Sequence, residues 1–319
     1  MRILVTGGAG FIGTHLVRQH AERRAGSITV FDNLHRGRFG PLAALGGAVR
    51  LLQADVRDPG ALETAVCGAD LVYHLAAQSS VMNSATDPEY AFHSNVTGTY
   101  QLLRLAREHG VRRVVFTSSR EVYGDPARLP VPESAPLAPK NAYGASKAAG
   151  EMYCRAFASD GMGAVILRLA NVYGPGDCDR VIPIFVENAL MGEPLVLYGG
   201  QQLMDFVWID AVVDALIAAG LSPCPAGPLN VGSGRGVTVA ELAKRVVAAA
   251  GSRSPVRVAQ SRDIEVSRFV ADVTLARRFF HLEPPADPLF GLPAVVSSTV
   301  GGQAVSPARP HWTAGLVSN

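Results

Sequence analysis

The chain has 319 residues, 48% of them hydrophobic, enough to bury a substantial core in one large domain or two intimately joined ones. Its 29 basic and 27 acidic residues are interspersed and leave a net charge of +2, so no basic stripe offers itself to a nucleic-acid backbone. No apolar run reaches the roughly 20 residues that span a bilayer. Cys67, Cys154, Cys178 and Cys224 lack the spacing and neighbouring histidines of a zinc site or disulfide framework, and "MRILVTGG" has no apolar signal core; the expectation is a reduced, cytoplasmic protein without structural metal.

The first predicted element is the strand "RILVT", followed by "GGAGFIG" and the helical pattern "FIGTHLVRQHAERR". Gly7, Gly10 and Gly13 let the backbone turn tightly and approach a pyrophosphate, while the first amides of the helix face its charge. The next strand, "SITVFD", ends in Asp32, 19 positions beyond Gly13, where a carboxylate accepts hydrogen bonds from a ribose diol and repels a 2′-phosphate. This favours NAD over NADP. Arg36 in the following loop either reaches a phosphate or is solvated.

The strand "VRLLQAD" brings Asp55 and Val56 to where an adenine edge would lie, and "LVYHLA" brings the small Ala76 and Ala77 close to the diphosphate. The strand "RRVVFTS" ends in Ser118 and Ser119, at the sheet edge where such folds bind ligands. In "NAYGASKAAGEMY", Tyr143 and Lys147 are four apart on a predicted helix and share a face. A nearby ammonium, with a positive nicotinamide, brings the phenol's pKa towards working pH, so that Tyr143 can take a proton from a sugar hydroxyl. The strand "AVILRLA" completes a series of apolar strands alternating with amphipathic helices, which predicts an α/β fold with a doubly wound parallel sheet of Rossmann type. Residues 1–170 form its cofactor domain. Over 171–285, Pro- and Gly-rich loops predict a smaller substrate-binding lobe with segments crossing back, and 286–319, lacking any period, a loose tail.

Taken together, "TGGAGFIG", "HLAAQ", "NVTGT", "TSSREVYG", "YGASK", "NVYGP" and "DFVWIDAVVDA" resemble, in order, the extended short-chain dehydrogenase/reductase family of nucleotide-sugar epimerases and dehydratases over roughly residues 1–285. The resemblance implies a tightly held NAD that oxidises a sugar, usually at C4, and later returns the hydride. It places the cofactor against Gly7, Gly10, Phe11, Ile12, Gly13, Asp32, Asn33, Asp55, Val56, Leu75, Ala76, Ala77, Asn95, Tyr143 and Lys147. Ser119, Tyr143 and Lys147 fall on catalytic positions. Ser119 and Asn171 face the nucleotide sugar, with a UDP-sugar favoured, and Arg180 and Arg262 are candidates for its phosphates. A homodimer through helices near 92–109 and 144–160 is also implied.

Two departures bear on the reaction. Met204 stands where the family carries a phosphate-gripping Arg. In the dehydratases "TDEVYG" supplies an Asp acid and a Glu base, and in the decarboxylases the stretch reads "TSEVYG"; here Glu121 is kept but Arg120 cannot act as an acid. Arg120 either pairs with Glu121 or faces away from it, since strand neighbours alternate sides. The favoured expectation is a 4-epimerase; a dehydratase or decarboxylase using Glu121 is the alternative, and a non-catalytic NAD-binding module a third.

Overall fold

The computed structural model describes residues 1–158, 161–221, 227–281 and 283–301. Strands and helices alternate through the first half: β1 (Arg2–Thr6), α1 (Phe11–Glu22), β2 (Ser27–Asp32), α2 (Gly40–Ala43), β3 (Val49–Gln53), α3 (Pro59–Val66), β4 (Leu71–His74), α4 (Val81–Thr86), α5 (Pro88–Phe92), α6 (Gly98–Glu108), β5 (Arg113–Ser119), α7 (Ala142–Phe157) and β6 (Gly163–Leu169). The second half contains β7 (Asn171–Tyr173), α8 (Val181–Met191), β8 (Leu195–Tyr198), β9 (Leu203–Trp208), α9 (Ile209–Leu221), β10 (Pro228–Val231), β11 (Gly236–Thr238), α10 (Val239–Ala249), β12 (Val256–Ala259), α11 (Thr274–Phe280) and α12 (Leu292–Val300).

Seven parallel strands form one sheet in the order β10-β6-β5-β4-β1-β2-β3. Every strand anticipated from the sequence is in it, because runs such as "RILVT" are apolar on both faces. Ile3 and Val5 enter the core on one face with Leu16 and Val212, while Leu4 enters the other with Leu102 and Leu105, the alternation a strand imposes. Each fully buried Val, Leu or Phe contributes roughly 1.5–3 kcal/mol by leaving water. Strand order reverses between β1 and β4, which opens a crevice at the carboxyl ends of those strands.

The second lobe is built from a sheet of order β11-β9-β7, the pair β12-β8, and helices α8, α10 and α12 around Phe185, Phe206, Leu242 and Leu292. Segments do cross back: β10 joins the main sheet beside β6, and α9 packs on α1. The tail departs from expectation. Within the segment read as aperiodic, Leu292–Val300 is a helix whose Leu292 and Val295 are buried in the second-lobe core. Residues 302–319, and Cys224, lie outside the described residues.

Candidate active site

The turn after β1 has the form a dinucleotide cradle needs. Gly7 has φ +70°, and a Cβ there would sit 2.6 Å from the backbone nitrogen of Ala76; a Cβ on Gly13 would lie 2.4 Å from the Gly7 carbonyl. Backbone therefore meets backbone where β1, α1 and the Leu75–Ala77 segment converge, and the first turn of α1 is left open to an anion. Gly7→Ala is expected to weaken NAD retention about tenfold or more by opening this cradle; cofactor released on denaturing the purified variant and wild type measures it, and equal occupancy would count against the cradle.

Asp32 fits the same group. Its buried carboxylate accepts the amides of Ala9 (3.0 Å) and Leu34 (2.8 Å), so it fixes the glycine turn and its own loop together. Burial raises its pKa against the pull of those two bonds. Asn33 donates to Asp55 at 2.8 Å, and Asp55 is held by the Arg57 fork at 2.9 and 2.8 Å, which draws its carboxyl down to about 2. The Asp55 side chain is thus tied to protein partners, with Val56 packed beneath the start of α6. Arg36, partly exposed, donates to Ser79 at 2.9 Å and pairs with Asp179 at 3.4 Å, joining the β2 loop to the second lobe. Phe11 lies under the Arg180 guanidinium at 5.9 Å, with Ile12 partly buried behind it.

Asn95 does a structural task. It accepts from the Gln78 amide at 2.7 Å and donates to the Gln78 carbonyl and to Ser146, clipping the segment beyond Ala77 to α7. Beneath it, Thr99 donates to the Asn95 carbonyl and so accepts from His74 Nε2, while Thr6 Oγ1 lies 2.7 Å from His74 Nδ1. His74 is therefore neutral, and burial drives its pKa down to about 3. The unfolded chain takes up a proton here near pH 6.5 while the folded one resists until about 3, so this stabilising contribution is whole above 6.5 and is lost as pH falls through that window. The expected result is that His74→Gln flattens the fall in urea midpoint between pH 7 and pH 5; parallel curves for variant and wild type would refute it.

Ser119, Tyr143 and Lys147 are brought together at the end of β5 and the start of α7. Asn141 caps α7 by accepting the Gly144 amide at 2.8 Å, and a Cβ on Gly144 would strike the Glu121 carbonyl at 2.5 Å, so the helix begins hard against the turn that follows β5. The Ser119 hydroxyl lies beside the Tyr143 phenol. Burial raises the phenol's pKa, and Ser119, Arg180 and Arg120 pull partway back, whereas Glu121 adds to the rise. Lys147 Nζ, 6.0 Å from the Tyr143 ring centre, donates to the Thr117 carbonyl at 2.8 Å and lies over Phe116 at 4.9 Å. Burial lowers its pKa to about 8. In the protein by itself, burial and Glu121 thus oppose the pull of Arg180 and Arg120 on the Tyr143 proton, with Lys147 standing 6.0 Å from the ring.

Arg120 and Glu121 do not continue the strand. They form a single 3₁₀ turn, Arg120–Tyr123, capped by Ser119, so the alternation that would have set them on opposite sides does not apply. Both are buried and pair at 2.9 Å, and Asn141 donates to the other Glu121 oxygen at 2.8 Å. Charges removed from water at a cost of several kcal/mol each are thereby paired.

Among the substrate candidates, Asn171 donates to the Asp205 carbonyl at 3.0 Å across β7 and β9. Arg180, at the cap of α8, pairs with Asp177 at 2.9 Å; burial raises Asp177 to about 6, and its neighbour Cys178 is a partly buried free thiol. Arg262 stacks on Tyr198 at 3.6 Å beside Glu265, and its loop is held to the start of α7 by Asn141 and Lys140. Met204 packs against the second-lobe core.

Sequence reasoning missed Asn141, although an Asn three residues before a helical glycine is a cap signal. It also missed a buried network: Ser118 donates to Glu151 at 2.5 Å, Glu151 takes the Arg168 fork at 2.8 and 2.6 Å, and Arg168 donates to Tyr123, which donates to Asn230 at 2.7 Å. Ser118 thus faces this network and Ser119 faces the phenol.

A cofactor crevice at a strand-order reversal, joined to a Ser-Tyr-Lys cluster at the adjacent strand end, defines an NAD-dependent enzyme of the extended short-chain class. A profile of the NAD dependent epimerase/dehydratase family matches residues 3–232, and the chain belongs to that family, with NAD as its cofactor. It is 40% identical over 220 residues to a dTDP-glucose 4,6-dehydratase of Mycolicibacterium smegmatis, an alignment spanning 66% of each chain and so about two thirds of that relative's length. It is 36% identical over 297 residues to a UDP-glucose 4-epimerase of the same organism, covering 89% of this chain and 94% of the relative. The solved UDP-glucose 4-epimerase of Thermotoga maritima with UDP-glucose superposes with a TM-score of 0.90 at 32% identity, over 95% of this chain and 100% of the other. Among the described residues no helix is long and apolar enough to cross a membrane.

Proposed function

We propose that the protein is a nucleotide-sugar 4-epimerase that acts on a UDP-sugar by transient oxidation at C4. The observation that carries this reading over dehydration is the state of Glu121. Both of its oxygens are engaged, one by Arg120 and one by Asn141, so taking a proton from C5 of a 4-keto sugar would require it to leave a buried ion pair. NAD, when bound, supplies a reversible hydride acceptor and a positive charge beside the phenol. Tyr143 accepts the O4 proton as C4 is oxidised and gives it back as C4 is reduced on the opposite face. Ser119, beside the phenol, holds O4 in line, and Lys147, fixed by the Thr117 carbonyl, orients the nicotinamide ribose. Arg180 and Arg262, on the second-lobe side, take up the nucleotide's phosphates in place of the family arginine replaced by Met204.

Exposed Tyr100, Met152 and Tyr153 on α6 and α7, with Tyr100 against Tyr153 at 5.4 Å, support a homodimer through these two helices. The test of the reaction is product analysis after incubating the holoenzyme with UDP-glucose, UDP-glucuronate and their N-acetylated relatives in deuterated water. Unchanged mass, a new stereoisomer and no deuterium at C5 are expected; loss of water or carbon dioxide would overturn epimerisation.

A further inference from the structure

Arg120 is buried, 9% exposed over the whole residue. Its Nη2 pairs with Glu121 at 2.9 Å, but Nη1 is buried with no hydrogen-bond partner. Folded proteins leave few such donors unmet, and a charged one is the least tolerated, so an unmet guanidinium nitrogen beside a reactive centre calls for a ligand acceptor. The surroundings narrow the choice. Arg120 follows Ser119 directly, and its pair partner Glu121 is held by Asn141, the cap of the helix that carries Tyr143. The charge of Arg120 acts on the Tyr143 phenol, as does that of Arg180.

Charge and shape point the same way. Arg120 and Glu121 cancel, as do Arg180 and Asp177, so neither pair brings net negative charge against a bound anion. A neutral hydroxyl would be served by a Ser or Asn, with no guanidinium to desolvate and no Glu needed to balance it. A planar fork with a vacant donor suits a carboxylate. In a uronic acid the carboxyl carbon is bonded to C5, the neighbour of the C4 at which Ser119 and Tyr143 act, so a group one residue beyond Ser119 is placed to meet it.

Resting on the nucleotide-sugar reading above, we propose that Arg120 is a specificity residue that holds a carboxylate on the sugar ring, so that the substrate is a nucleotide-linked uronic acid. Calorimetric binding of UDP-glucuronate and of UDP-glucose to the NAD-loaded protein tests it. The wild type is expected to favour UDP-glucuronate by about tenfold or more, and Arg120→Met to lower the ratio of the two affinities by about thirtyfold or more. Since that variant leaves Glu121 buried and unpaired, Arg120→Met/Glu121→Gln, whose turn is neutral, is measured beside it and is expected to lose the same preference. A wild type that binds both ligands equally, or a ratio unmoved in both variants, overturns the assignment. Turnover of UDP-glucose with UDP-glucuronate ignored sinks this inference alone; if neither compound is bound or turned over, the nucleotide-sugar reading falls with it.

Discussion

Tyr143→Phe is expected to cut turnover of the accepted nucleotide sugar by about a hundred- to ten-thousandfold, equivalent to about 3–5 kcal/mol of barrier. The substitution keeps the ring and removes only the hydroxyl, which has no other proton acceptor of its kind beside it: Ser119 shares a proton but is too weak a base, Lys147 is committed to the Thr117 carbonyl, and Glu121 is locked by Arg120 and Asn141. The unfolding midpoint of the same variant serves as control. It is expected to hold or rise slightly, because a buried phenol whose pKa is raised by desolvation is replaced by an apolar ring. Turnover within tenfold of wild type would remove Tyr143 from the role of general base and return attention to Glu121.

What the sequence made legible was local in sequence. The glycine turn, the Tyr143 and Lys147 spacing and the doubly apolar strands are patterns within a few residues, and each constrains backbone form directly. Glu121 and Arg120 were visible as charges, but whether they faced each other depended on β5 ending at Ser119, where an extended chain gives way to a 3₁₀ turn. Residues from separate elements were out of reach for the same reason: Tyr123 and Asn230 meet across 107 positions. The helix Leu292–Val300 was hidden differently. "LPAVVSSTV" is rich in β-branched and hydroxyl residues, with low intrinsic helix propensity, and the segment is helical because Leu292 and Val295 find the second-lobe core. Asn95 and Asp55 carry a cofactor role by motif position, and the fold fixes their side chains through Gln78 and Ser146, and through Asn33 and Arg57. They shape the crevice wall.

The buried network behind Ser118 leads to the second large effect. Glu151 is fully buried with a bidentate Arg168, and that guanidinium also reaches Tyr123 and the Glu133 carbonyl. Glu151→Ala strands a cation between α7 and β6, which is expected to lower unfolding free energy by about 3–5 kcal/mol. Glu151→Leu/Arg168→Met removes both charges, and since hydrophobic replacement of a buried pair is often near neutral, it should recover most of that loss. Urea titrations of Glu151→Leu, Arg168→Met and the double variant form the cycle that measures the coupling. The catalytic reading adds a second discrimination: Glu151 lies one turn beyond Lys147 on α7, and Ser118 directly precedes Ser119. The double variant, though folded, is expected to lose turnover because the end of β5 and the face of α7 are no longer drawn together by the Ser118 bond. A loss below about 1 kcal/mol for Glu151→Ala would mean that water reaches Arg168, and a fully active double variant would show that packing alone sets the distance from Ser119 to Tyr143.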